Sequence, residues 1–216
     1  MVKKPIFRFE PFSDKQKMIL TWWLPSSPVS HLDGIIADGS IRSGKTLSMS
    51  LSFVMWAMAT FNGQNFALCG KTIGSLRRNV ITTLKQMLQS RGYAVTEMRA
   101  DNLLVIKKGN VSNTFYMFGG RDERSQDLVQ GVTLAGVLFD EVALMPESFV
   151  NQATGRCSVD GSKFWFNCNP SNPMHWFKTN WIDAVKDGAD KPKNLLYLHF
   201  MMDDNLSLSE STKTRY

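Results

Sequence analysis

The chain has 216 residues, 43% hydrophobic and 20% charged, which supports a buried core and excludes disorder over most of the length. Twenty-five Lys and Arg against nineteen acids give a formal net charge of +6, favouring an anionic partner such as nucleic acid. Three cysteines without CxxC spacing (Cys69, Cys157, Cys168) and three scattered histidines (His31, His175, His199) exclude a disulfide framework and speak against a zinc site, in keeping with a reducing cytoplasm.

In chain order, the charges at the N-terminus interrupt any signal-peptide core. Residues 14–24 (DKQKMILTWWL) predict an amphipathic helix capped by Ser13 and ended by the turn at Pro25 and Pro28. Residues 34–37 (GIIA) predict a buried strand, and residues 45–60 a long helix. Ser48, Ser50 and Ser52 break the apolar run at residues 47–61, which is shorter than the ~20 residues of a membrane span. The expectation is a soluble protein with no membrane partner. A strand at 66–69 and a helix at 75–90, closed by Gly92, come next. Residues 103–106 and 114–118 predict a pair of strands joined near Gly109 and Asn110. Residues 134–139 form a nearly continuous apolar strand running into two acids, and 163–166 and 195–200 are further strands. Residues 203–216 are polar and read as a segment leading elsewhere. Strands alternating with helices imply a parallel sheet with helices on both faces.

Gly39, Ser40, Ile41, Arg42, Ser43, Gly44, Lys45 and Thr46 satisfy GxxxxGK[ST] at every fixed position, between a strand and a helix. Glycines let backbone N–H groups turn toward phosphate oxygens, and the helix start adds its positive dipole end. Lys45 would reach the β- and γ-phosphates of ATP, and the Thr46 hydroxyl would ligate Mg²⁺. In the strand ending Phe139-Asp140-Glu141, pleat alternation would aim Asp140 at the metal and Glu141 at attacking water, as general base. The long separation of Lys45 from Asp140 leaves room for a strand between them. With a glutamate after the aspartate, the expected class is α/β: a P-loop NTPase of the additional-strand, catalytic-glutamate type. Its central sheet would be mainly parallel and flanked by helices.

Other residues carry two readings each. Arg42 either forks onto the γ-phosphate or fills a variable, solvent-facing position. Arg121, Arg124 and Arg156 are candidates for an arginine finger supplied to a neighbouring subunit. Asn167 and Asn169, in the segment FNCNPSNP, either sense the γ-phosphate or cap a proline-rich turn. The basic pairs Lys3-Lys4, Arg77-Arg78 and Lys107-Lys108 are either solvated faces or a DNA-tracking surface. Gln16 has an amide able to pair with both the donor and the acceptor edge of adenine, a group that is also commonplace on helix surfaces.

Taken together, FSDKQ, GSIRSGKT, VLFDEVALMP, FNCNPSNPMHWF and HFMMDDNLSLS, in this order, resemble the ATPase domain of the phage terminase large subunit. The branch is that of defective-prophage and related tailed-phage terminases. The resemblance implies an adenine-contacting Gln16, a functional Arg42, Asp140 and Glu141 as metal and catalytic carboxylates, and a coupling motif at Asn167 to Asn169. It implies ATP and Mg²⁺ as cofactors and double-stranded DNA, a portal protein and a small terminase subunit as partners. A ring when assembled, a monomer alone, and the cytoplasm of an infected bacterial host are implied as well. Residues 1–202 would be the ATPase domain and 203–216 would lead toward a nuclease domain that has no counterpart in the chain, so no nuclease activity is expected. Where many relatives carry an arginine before the acidic strand, this chain has Gln130-Gly131. A helicase-like DNA-dependent ATPase and a nucleotide-gated assembly module are the alternatives; Glu141 argues against pure binding.

Overall fold

The computed structural model describes residues 7–169, 172–185 and 192–215; the pair Lys3-Lys4, Pro170 and Ser171 of the amide-rich segment, and Tyr216 lie outside them. Helix α1 (Asp14–Thr21) starts with a reciprocal cap: Ser13 Oγ accepts from the Gln16 N–H at 3.4 Å, and Gln16 Oε1 accepts from the Ser13 N–H at 3.0 Å. It ends at its C-cap Trp22, before residue 24; the Trp22 indole packs on Trp165 with ring centroids 5.0 Å apart. Strand β1 (Gly34–Gly39) is buried throughout and feeds helix α2 (Lys45–Thr60), whose bounds match the sequence reading. Strand β2 (Asn65–Gly70) precedes α3 (Ile73–Leu76), which passes through a π-helical turn (Arg77–Ile81) into α4 (Thr82–Ser90). The sequence predicts one regular helix there.

Strand β3 (Ala94–Met98) was not predicted; it is a half-exposed edge strand with no apolar face to betray it. Strands β4 (Leu103–Lys108) and β5 (Val111–Gly119) form the expected hairpin. A 3₁₀ segment (Glu123–Val129) leads to β6 (Gly136–Phe139), shorter than expected because Leu134 bridges to Cys157 instead. Helix α5 (Glu147–Gly155), also unpredicted, is followed by β7 (Lys163–Asn167), a π-helical turn (Lys178–Ile182), β8 (Leu195–Phe200), a 3₁₀ turn (Met202–Asp204) and α6 (Glu210–Lys213).

One eight-stranded sheet has the order β3-β4-β5-β2-β6-β7-β1-β8, antiparallel only at β3–β4 and β4–β5. A strand does separate β1 from β6, but it is β7, downstream of both. The residues between Lys45 and Asp140 instead build β2 to β5 beyond β6. Side-chain alternation along β1 sends Ile35 and Ala37 toward α1, α2 and α4, and Ile36 toward α5 and the 178–182 turn. Ser52 of α2 is fully buried. Its hydroxyl donates to the Ile19 carbonyl at 2.6 Å and accepts from the indole nitrogens of Trp23 and Trp165, each at 3.2 Å. One of the serines that broke the apolar run therefore ties α1, α2 and β7 together.

Candidate nucleotide and metal site

The loop between β1 and α2 needs glycine at both ends. Gly39 has φ +113°, and a side chain there would strike the Phe200 carbonyl of β8, which accepts from the Ser40 N–H at 2.9 Å. Gly44 has φ +82°, and a Cβ there would collide with the amide of Gln16. Past it, α2 begins at Lys45, so its unpaired N–H groups and dipole face the cleft. The buried Lys45 ammonium donates to the Gly39 carbonyl (3.0 Å), the Ser40 carbonyl (2.6 Å) and Ser43 Oγ (3.1 Å). Burial pushes its pKa down, while the fields of Cys168, Asp38, Glu141 and Asp140 oppose that. Ile41 and Arg42 are exposed at the apex, Arg42 at φ 61°.

Strand β6 ends at Phe139, and the Asp140 N–H continues onto the Cys69 carbonyl at 2.8 Å. Asp140 is buried, and desolvation pushes its carboxyl up to about 6 against the hydrogen bond from Asn167. Glu141 is exposed and lines the cleft, but not through strand alternation, as the sequence predicts. The backbone turns left-handed at Glu141, with φ 55° and ψ 54°. A non-glycine residue there costs about 1–3 kcal/mol, the kind of strain found where a side chain must be aimed.

Asn167, at the end of β7, joins the two sides. Its Nδ2 donates to Asp140 Oδ1 at 2.8 Å and to Thr46 Oγ1 at 2.9 Å. Thr46 Oγ1 stands 3.5 Å from Asp140 Oδ1, too long for a good O–H···O bond. Hydroxyl and carboxylate thus present two hard oxygens side by side. Among the described residues no cluster of three or more His, Cys, Asp or Glu could hold a metal. This donor set fits Mg²⁺, which takes few protein oxygens and completes its shell with water and phosphate.

A cleft of about 470 Å³ opens over this junction, lined by Arg42, Asn79, Thr83, Glu141, Asn167 and Asn169 among others. Beside it lies a cavity of about 230 Å³ between Phe7, Phe9, Phe12, Gln16 and Leu47. Gln16 is buried there rather than exposed on its helix. Asn205 lines both spaces. Sequence reasoning missed Asn79 and Thr83, which the π-helical turn and the start of α4 present, and Asn205, which sits in a stretch read as polar linker.

The arginine candidates separate. Arg121 and Arg124 are exposed just past the end of β5, on the same sheet edge as residues 39–46, four strands and so roughly 19 Å from β1. Arg156 lies at the opposite edge, its carbonyl accepting from the Leu134 N–H ahead of β6.

The family model described as terminase large subunit, T4likevirus-type, N-terminal, matches residues 36–210. The chain belongs to the terminase large-subunit family. Its fold superposes on the large terminase of a thermophilic bacteriophage with TM-score 0.90 and 66% identity, over 96% of this chain and 50% of that one. The same phage's terminase in complex with ATP-gamma-S matches at 64% identity and TM-score 0.88, over 95% of this chain and 49% of that one. This terminase chain therefore spans about half the length of the thermophilic phage protein. The large terminase ATPase domain of Thermus phage P74-26, at 18% identity and TM-score 0.58 over 89% and 86% of the two chains, shares the fold. No curated protein matches the chain. Among the described residues no helix is long and apolar enough to cross a membrane.

Proposed function

We propose that this chain is a Mg²⁺-dependent ATPase, the motor portion of a terminase that drives double-stranded viral DNA into a procapsid. The observation that carries the reading is the junction of Thr46, Asp140 and Asn167 beneath a glycine-bounded loop, with the strained Glu141 facing the same cleft. The thermophilic phage terminase, solved with ADP and with ATP-gamma-S, supports a nucleotide as the occupant.

Lys45 exchanges the loop carbonyls for β- and γ-phosphate oxygens. Thr46 and Asp140 would hold Mg²⁺, which would supply charge neutralisation at the phosphates when bound. Glu141 orients the attacking water and accepts its proton, while Arg42 forks onto the γ-phosphate from the apex. Gln16 reads adenine from the smaller cavity, and Asn169 meets the phosphate end of the cleft. Rate enhancement comes from positioning and charge stabilisation.

The net charge of +6 suits duplex DNA. A portal protein and a small terminase subunit complete the machine in the cytoplasm of an infected bacterium. In a ring, Arg121 or Arg124, which follow a strand four places from β1 in their own subunit, serves the neighbouring subunit. The test is Mg²⁺-dependent ATP hydrolysis by the purified chain beside Glu141→Gln. Turnover lost in the variant, with ATP binding retained, supports the reading; equal turnover sinks Glu141. Strand separation would favour a helicase-like enzyme. Binding without turnover, even with DNA and portal added, would favour a nucleotide-gated assembly module.

A further inference from the structure

Asn205 belongs to no motif that the chemistry of hydrolysis requires, yet it touches the apex of the phosphate loop. Its Nδ2 donates to the Arg42 carbonyl at 2.7 Å. Its Oδ1 accepts from the Ser207 N–H at 3.2 Å and the Ser207 hydroxyl at 2.6 Å, so both ends of the amide are committed. The turn that carries it is anchored one residue earlier. Asp204 accepts from Lys15 Nζ at 2.9 Å and from the Met201 N–H at 2.7 Å, and Lys15 also donates to the His199 carbonyl at 2.8 Å. Helix α1, the end of β8 and the loop apex are thereby braced together.

Arg42 is one of three non-glycine residues with positive φ among the described residues. The cost of that conformation and the net worth of one hydrogen bond are of the same order, so a single well-anchored amide can decide whether it persists. The geometry points to Asn205 as a positioning residue for Arg42: by fixing the Arg42 carbonyl it holds the loop apex left-handed and so sets where the guanidinium aims. This rests on the nucleotide reading above, with the γ-phosphate as the target of Arg42. A purely structural Asn205 would stabilise the 202–208 turn and affect all nucleotides alike. A positioning Asn205 affects only the discrimination that Arg42 supplies.

The experiment measures the affinities of ADP and ATP-gamma-S, with Mg²⁺, for wild type, Asn205→Ala, Arg42→Gly and the double variant, alongside their thermal unfolding. The expected result is that Asn205→Ala lowers the preference for ATP-gamma-S over ADP about tenfold. On the Arg42→Gly background, where guanidinium and strain are both gone, Asn205→Ala should change the preference less than about twofold. An unchanged preference in Asn205→Ala, an equal loss on both backgrounds, or a wild type without preference would overturn the inference. A wild type that binds neither nucleotide would instead overturn the functional reading.

Discussion

The amide nitrogen of Asn167 lies 2.8 Å from Asp140 Oδ1 and spends its second hydrogen on Thr46 Oγ1 at 2.9 Å. An ionised carboxylate only accepts, so the orientation of this amide is forced. The consequence is topological. Strand β7 lies between β6 and β1, and the side chain of its last residue bonds both Thr46 and Asp140. A shift of β7 against its neighbours would disturb both bonds, a physical route for the coupling role that the family resemblance implies for Asn167.

Asn167→Ala should therefore act on the metal before the nucleotide. With the Thr46 hydroxyl and the Asp140 carboxylate no longer held, the Mg²⁺ concentration for half-maximal ATP-gamma-S binding should rise about tenfold, while binding without Mg²⁺ stays nearly constant. A Mg²⁺ titration at fixed nucleotide checks this. An equal loss with and without Mg²⁺ would place Asn167 on the phosphate instead.

Glu141 carries both strain and chemistry, and two substitutions separate them. Glu141→Gln keeps the left-handed penalty and should leave stability unchanged while abolishing turnover. Glu141→Asn places there a residue that tolerates positive φ, and should raise unfolding stability by about 1 kcal/mol while also abolishing turnover. Denaturant unfolding of both variants gives the comparison; equal stabilities would mean that the turn at 141 is not strained.

What the sequence disclosed depended on where each residue's environment comes from. The loop at residues 39–46 and the acidic strand were legible because fixed residue types and an apolar run lie side by side in the chain. Helix α2 matched to the residue, since Gly44 and Thr60 bound a continuous apolar pattern. The site's other walls are tertiary. Gln16 looks like a surface glutamine until Gly44 packs against it, and only a family resemblance singled it out in the sequence. Asn79 depends on a π-helical turn that no 3.6-residue period reveals. Strand β3 has five residues and little apolar contrast, and α5 is short and follows a proline turn. Glu141 lines the cleft through a single left-handed residue where the sequence led one to expect the strand pleat.

The Ser52 hydroxyl is a stability determinant remote from the phosphate loop. Ser52→Ala removes the bond to the Ile19 carbonyl and leaves the buried end of the Trp165 indole without its partner. A loss of about 2–3 kcal/mol is expected, read as a lower denaturant midpoint at unchanged slope. Nucleotide affinity of the folded protein should stay within about twofold, since Ser52 lies two turns along α2 from Lys45. A large affinity loss would show that α1 and the loop are more tightly coupled than these contacts indicate.

Asp140 should make the protein less stable so that it can bind metal. Its carboxyl, pushed up to about 6 by burial, stays protonated in the folded chain over a pH range where the unfolded chain, near about 3.9, has already lost the proton. Between those values the unfolded state binds fewer protons than the folded one. Stability from this group therefore falls as pH rises from about 4 to about 6 and stays low above that, by about 3 kcal/mol in total. Asp140→Asn lacks the titration. It should be more stable than wild type at pH 8 by up to that amount, with the gap closing by pH 4. Mg²⁺-nucleotide binding needs the ionised carboxylate, so wild-type stabilisation by that ligand should grow as pH rises through 6 and be absent from Asp140→Asn. Urea unfolding of both proteins across this pH range, with and without ligand, tests the two signs together. A gap independent of pH would mean that Asp140 ionises normally in the fold and that desolvation does not dominate its chemistry.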